Sequence, residues 1–159
     1  MRRTIWRLYA FCYDSIACLL PYRQMVKDIV DKMCLVDGNH VLDAGCGTGN
    51  LQKEIVTRNL EVEVRAIDFS KEMLNRAIGK KLGSNITYKC VDITKKLPFS
   101  DSLFDVVVSS NVIYTLKNGE SIISELNRVL KPGGLLIISD PKKGSKFMMI
   151  FWSHLFSGG

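Results

Sequence analysis

Val41-Leu42-Asp43-Ala44-Gly45-Cys46-Gly47-Thr48-Gly49-Asn50 decides how this chain is read. The first half is short and apolar, as a strand buried on both faces is. The second half spaces Gly45, Gly47 and Gly49 two apart and runs into a helical stretch near Leu51 to Arg58. Glycines permit a tight turn and let a ligand approach the backbone closely. The following helix N-terminus adds free N–H groups and a partial positive charge. Together they suit an anionic or nucleoside-bearing ligand. The dinucleotide fingerprint G-x-G-x-x-G needs a glycine where Asn50 stands, so the spacing disfavours NAD or FAD.

Outward from this stretch, strands and helices alternate. Pro21 can start a helix, Val26, Ile29, Val30 and Met33 follow at helical spacing, and Gly38-Asn39 is expected to end it. His40 to Ala44 is the first strand and Val62 to Ile67 the second. Ser70 caps a helix with Met73, Leu74, Ala77 and Ile78 on one stripe. Ile86 to Val91 and Phe104 to Val108 read as the third and fourth strands. Asn118 is expected to cap a helix carrying Ile122, Ile123, Leu126, Val129 and Leu130, which Pro132-Gly133-Gly134 stops before a fifth strand, Leu135 to Ser139. The pattern predicts an α/β fold: a parallel sheet of five strands, right-handed crossovers and helices on both faces. Ligands in such sheets sit beyond the carboxyl ends of the strands, where strand order reverses.

Composition agrees. The chain has 159 residues, with 47% apolar and 24% charged, which is a globular composition and suits one domain. Its net charge of +6 comes from scattered residues, among them Arg2, Arg3, Lys80, Lys81, Lys95, Lys96, Lys142, Lys143 and Lys146. That scatter reads as a solvated surface. The cysteines, Cys12, Cys18, Cys34, Cys46 and Cys90, are odd in number and form no CxxC pair. With His40 and His154 they offer no zinc spacing, so no metal is expected, and reduced thiols point to the cytoplasm. Ile5 to Leu20 is apolar but interrupted by Arg7 and Asp14, and Phe147 to Phe156 is too short to span a membrane.

Val41 to Gly49 resembles the first motif of the class I, Rossmann-like S-adenosylmethionine (SAM)-dependent methyltransferases, and the likeness runs from about residue 20 to 140. The resemblance implies that Gly45, Cys46, Gly47 and Gly49 pack against the methionine part of SAM while Asp43 organises the loop. It implies that Asp68, in Ala66-Ile67-Asp68-Phe69-Ser70, accepts the ribose hydroxyls, with Phe69 and Met73 flanking the adenine. Asp92 would accept from the adenine amino group, and the Ile93 N–H would meet a ring nitrogen. Backbone carbonyls at Ser109 and Ser110 would take the SAM ammonium. Phe104-Asp105 and Leu130-Lys131-Pro132-Gly133-Gly134 also match, as structural elements.

Methyl transfer is an in-line displacement, so the protein chiefly positions the reacting atoms. No residue declares itself as a base. Tyr114 is a candidate at the pocket or a wall aromatic. Tyr13 lies in a Tyr-Asp segment similar to one that covers SAM in quinone methyltransferases, or packs as a helix residue; His154 is a weaker candidate base. The stretch Ser109-Ser110-Asn111-Val112-Ile113-Tyr114 lacks the Asn/Asp-Pro-Pro-aromatic signature of nucleic-acid amino methylation, so no nucleic-acid partner is expected. The nearest resemblance is to ubiquinone/menaquinone C-methyltransferases and other small-molecule enzymes. The apolar ends suit an aromatic or lipid-like acceptor and peripheral membrane contact; packing on the sheet is the other reading.

Three segments result: a helical lid over 1–36, a SAM-binding core over 37–140, and an apolar helix or truncated end over 141–159. The family's sheet normally continues into an antiparallel hairpin after the fifth strand, and no hairpin is recognised here. A truncated, non-catalytic SAM-binding or scaffold protein acting through a partner is therefore the alternative function. Leu135-Leu136-Ile137-Ile138 is expected to form an exposed edge through which the chain self-associates.

Overall fold

The computed structural model describes residues 20–141. Strands β1 (His40–Ala44), β2 (Glu63–Asp68), β3 (Ile86–Cys90), β4 (Phe104–Ser110) and β5 (Leu130–Ser139) alternate with helices. The helices are α1 (Leu20–Lys32), α2 (Asn50–Val56), α3 (Lys71–Gly79) and α4 (Gly119–Val129). All strand pairs are parallel, in the order β3-β2-β1-β4-β5. The chain steps outward from β1 to β3, then returns past β1 to lay down β4 and β5. Strand order thus reverses between β1 and β4.

Side chains alternate across the sheet, as the strand period requires. On one face Val41, Val64, Val106 and Val108 pack with Val26, Ile29, Val30 and Met33 of α1, Leu51 and Ile55 of α2, and Leu74 of α3. On the other, Leu42, Ala44, Ile67, Phe104 and Val107 pack with Ile122, Leu126 and Val129 of α4. Leu42, Phe104 and Val107 are fully buried. Truncating a leucine in such a place costs about 2–5 kcal/mol. Arg128 ties the loop before β4 to α4, donating to the carbonyls of Leu97 and Phe99 and pairing with Glu125 and Asp101.

Local structure departs from the sequence reading in four places. Helix α1 stops at Lys32, ahead of Gly38-Asn39, because Cys34 takes a left-handed turn (φ 47). Ile78 is 52% exposed, whereas Met73, Leu74 and Ala77 are buried, so the α3 stripe is narrower than its spacing suggested. Asn118 stands before α4 in a left-handed conformation, and its side chain makes no capping bond. Strand β5 begins at Leu130, where it pairs with Phe104, and passes through Pro132-Gly133-Gly134 with a register shift. A Cβ on Gly134 would lie 2.8 Å from the Asp105 carbonyl oxygen, so only glycine lets β5 approach β4 there.

Among the described residues strand β5 lies at the sheet edge, with Leu135 39% and Ile138 37% exposed. Among the described residues no helix is long and apolar enough to cross a membrane. Tyr13, His154, most of the segment expected to form a lid and the apolar run at 147–156 lie outside the described residues.

Candidate functional site

The site grows from the end of β1. Gly45, Gly47 and Gly49 all take positive φ (99, 54 and 82). Gly45 and Cys46 both donate their N–H to the Ile67 carbonyl, at 2.8 and 2.9 Å, which pulls the loop across the end of β2. A Cβ at Gly45 would collide with the Val112 side chain, so glycine is required by space as well as by φ.

Asp43 points to the α2 side and is 2% exposed. Its carboxylate accepts from Gln52 Nε2 at 2.6 Å. Burial pushes its titration up to about 7; the Gln52 bond opposes this and the Asp68 charge adds to it. Asp68 ends β2 and is also buried. One of its oxygens accepts from the Gly47 N–H at 2.9 Å and the other from the Ser70 N–H at 2.8 Å. It therefore joins the glycine loop to the start of α3. Burial raises its titration, and these N–H donors hold the rise back. Ser70 caps α3 as expected, its hydroxyl accepting from the Met73 N–H at 3.3 Å.

The remaining expected residues fall around this centre. Phe69 is 52% exposed at the rim and Met73 is buried behind it. Asp92 is exposed and accepts from both the N–H and hydroxyl of Thr94, which holds its carboxyl below the usual range. Ile93 beside it is buried in the α4-side core. Ser109 is fully buried and donates to the Ala44 carbonyl at 2.9 Å, bracing β4 against β1. Ser110 faces a small open cavity of about 20 Å³ between α1 and the glycine loop. Tyr22, Val26, Asp43, Gly45, Cys46 and Leu51 share its lining. This cavity lies at the reversal of strand order, where ligands of such sheets bind. Burial and the neighbouring Asp43 and Asp68 push the Cys46 thiol well up, so it stays a protonated small side chain. Tyr114 sits half-buried on a 3-10 turn, Ile113–Thr115, beyond β4 and outside the cavity lining.

Two contributors were missed. Gln52 is fully buried and supplies the Asp43 bond. Its signal was present, since a glutamine on the apolar side of a short helix needs a polar partner. Asp140, just past β5, accepts from the N–H groups of Val112 and Tyr114 at 3.0 and 3.1 Å and so holds the loop after β4. Nothing local announces that contact, which joins two strand ends distant in sequence. Among the described residues no cluster of three or more metal-ligating groups occurs.

Residues 42–138 match a family described as a methyltransferase domain, which is more than half of the chain. A demethylmenaquinone methyltransferase of Renibacterium salmoninarum is 35% identical over 118 residues, covering 74% of this chain and 48% of the relative. A malonyl-[acyl-carrier protein] O-methyltransferase of Buchnera aphidicola is 40% identical over 107 residues, covering 67% of this chain and 41% of the relative. The chain spans less than half the length of these curated relatives. In fold it is similar to Haemonchus contortus phosphoethanolamine N-methyltransferase 2, solved with phosphomonomethylethanolamine and S-adenosylhomocysteine. That likeness has a TM-score of 0.76 at 22% identity and covers 94% of this chain and 37% of that one. Glycine loop, strand order and sequence relationship agree: the chain belongs to the class I SAM-dependent methyltransferase family.

Proposed function

We propose that the chain binds SAM at the carboxyl ends of β1 to β4 and transfers its methyl group to a small-molecule acceptor. The observation that carries this reading is the joint placement of Asp43, the glycine loop, Asp68 and Asp92 at the carboxyl ends of three adjacent parallel strands. The residues fit the cofactor chemically. Asp43 offers a carboxylate at the cavity, next to where a cationic methionine moiety would lie. Asp68 already accepts from the Gly47, Ser70 and Phe69 N–H groups, and a carboxylate has about four acceptor sites, so capacity for a ribose hydroxyl remains. Phe69, exposed at the rim, offers an aromatic face for the adenine, with Met73 behind it. Asp92 and the Ile93 N–H would meet the adenine edge, and carbonyls at Ser109 and Ser110 would face the ammonium.

Bound SAM supplies an electrophilic methyl on sulfur; the chain's part is to orient it and exclude water. Acceptors named for the relatives are a quinone precursor and a carrier-bound malonyl group, and the solved neighbour holds a phosphorylated amine. Their common ground is a small or carrier-tethered acceptor, which supports that class here. The half-exposed Leu135 and Ile138 on the edge strand support self-association through β5. Light scattering that reports a monomer at high concentration removes that part of the reading.

Calorimetric titration with SAM, with Asp68→Ala alongside, tests the cofactor site. Micromolar binding that Asp68→Ala abolishes supports it. A folded chain that takes up no SAM refutes it.

A further inference from the structure

Gln52 is fully buried beneath the glycine loop, and the one hydrogen bond its side chain makes among the described residues goes to Asp43, at 2.6 Å. Its Oε1 is buried with no partner. The amide is therefore oriented by Asp43 and by nothing else described. That matters because a glutamine amide offers a donor at one end and an acceptor at the other. It can donate to a charged Asp43 as it stands. Turned over, it can accept from a protonated Asp43, and again one end is left without a partner. A lysine or arginine there would serve only the charged form, and a leucine would serve neither. Gln52 accommodates both states of its neighbour.

The surroundings leave that choice open. Cys46 from the loop, Asp68 from β2 and Tyr88 from β3 surround Asp43, and Tyr22 of α1 lines the same cavity. The register sets Asp43, Ala66 and Tyr88 side by side on adjacent strands, and the Tyr88 hydroxyl is buried without a partner. Cys46 and Tyr88 are both pushed up by burial and stay neutral. Asp68 is the remaining acid, and a second negative charge beside Asp43 is disfavoured. Lys80 of α3 brings a cation as far as Asn50, where its Nζ donates at 2.8 Å, on the rim of the same cavity. No described cation makes an ion pair with Asp43 itself.

We propose that Asp43, buried with no described cation paired to it, holds a proton in the free protein, that Gln52 is a positioning residue able to pair with either form of it, and that uptake of a cationic cofactor expels that proton. This rests on the SAM-binding reading above. A ligand carrying ammonium and sulfonium groups favours the carboxylate, to which the Gln52 Nε2 donates. The proton leaves to solvent, and no other covalent bond changes. Cofactor affinity therefore depends on pH through one residue that the glycine motif contains and another that it does not.

The test is calorimetric titration of the full chain with SAM near pH 6, 7 and 8, in two buffers of different ionisation enthalpy. Asp43→Asn and Gln52→Met are titrated in parallel. Binding is expected to be about tenfold weaker near pH 6 than near pH 8, with close to one proton released near pH 6. The ligand's own ammonium titrates equally in every variant, so the difference from Asp43→Asn isolates the residue. Asp43→Asn is expected to lose that difference in both affinity slope and proton release. Gln52→Met removes the donor to the charged form, so proton release is expected to persist to higher pH. Binding without proton release, an unchanged pH slope in Asp43→Asn, or an unmoved profile in Gln52→Met overturns the inference and leaves SAM binding standing. A folded chain with no binding at any pH refutes both.

Discussion

Replacing Asp43 with asparagine is expected to stabilise the cofactor-free chain at neutral and alkaline pH. Burial lifts this carboxyl from 3.8 to about 7. Between those values the folded chain keeps a proton that the unfolded chain has released. The stability Asp43 contributes is thus fully present below the unfolded value and is lost as pH rises towards the folded one. Inside that window the loss approaches 1.4 kcal/mol per pH unit, roughly the value of one proton. Asparagine keeps the shape and can accept from Gln52, but does not titrate. From about pH 5 to pH 8 the wild-type chain should lose about 2–3 kcal/mol relative to Asp43→Asn, levelling off above pH 7. With a urea slope of about 1–3 kcal/mol per molar, the separation of the two midpoints changes by roughly 0.7–3 M over that range. Urea titrations followed by far-ultraviolet circular dichroism at several pH values measure it. A constant separation at every pH would mean that only packing had changed, and would refute the reasoning.

Three further outcomes check other parts of the structure. Gly45→Ala should destabilise by more than about 1 kcal/mol, since φ is 99 and the new Cβ meets Val112; Val112→Ala should relieve part of the cost in the double variant. Ser70→Ala removes the acceptor of the Met73 N–H and should cost about 1 kcal/mol, read as an unchanged urea slope with a lower midpoint. Arg128→Met should speed amide hydrogen exchange in 97–103 and leave SAM affinity unchanged, because its carbonyl contacts lie far from the glycine loop in sequence and on the α4 side.

The parts of the fold that were legible in the sequence are those fixed by local period and turn chemistry. Val106 to Val108 reads as a strand because nothing polar interrupts it, and it is buried as such a run must be. Ser70 reads as a cap because the apolar stripe of α3 begins three residues on, and it caps. The misreadings have tertiary causes. Cys34 ends α1 in a left-handed turn that glycine or asparagine would have announced. Lys131-Pro132-Gly133-Gly134 looked like a stop, yet Gly134 lets β5 run close along Asp105 through those residues. Asp140 and Gln52 were missed because each acts on a partner that only the folded sheet brings near.

Asp43, Asp68 and Asp92 share one chemistry and end in three electrostatic conditions. Asp92 is exposed and held by Thr94, so its charge is settled before any ligand arrives. Asp68 is buried but receives backbone N–H groups from Gly47, Phe69 and Ser70, and so it already ties down the glycine loop. Asp43 has a neutral amide as its partner and faces the cavity. A ligand's positive groups change least at Asp92 and most at Asp43, since a charge acts most strongly where water is excluded and compensation is weakest. The free chain bears a stability cost for keeping that acid buried. Sites shaped for a ligand commonly carry such a cost, and binding relieves it. On the proposed SAM-binding reading, the acid of the glycine motif would be the group that distinguishes a cationic cofactor from its neutral analogues, and Asp68 and Asp92 would be the groups that place it.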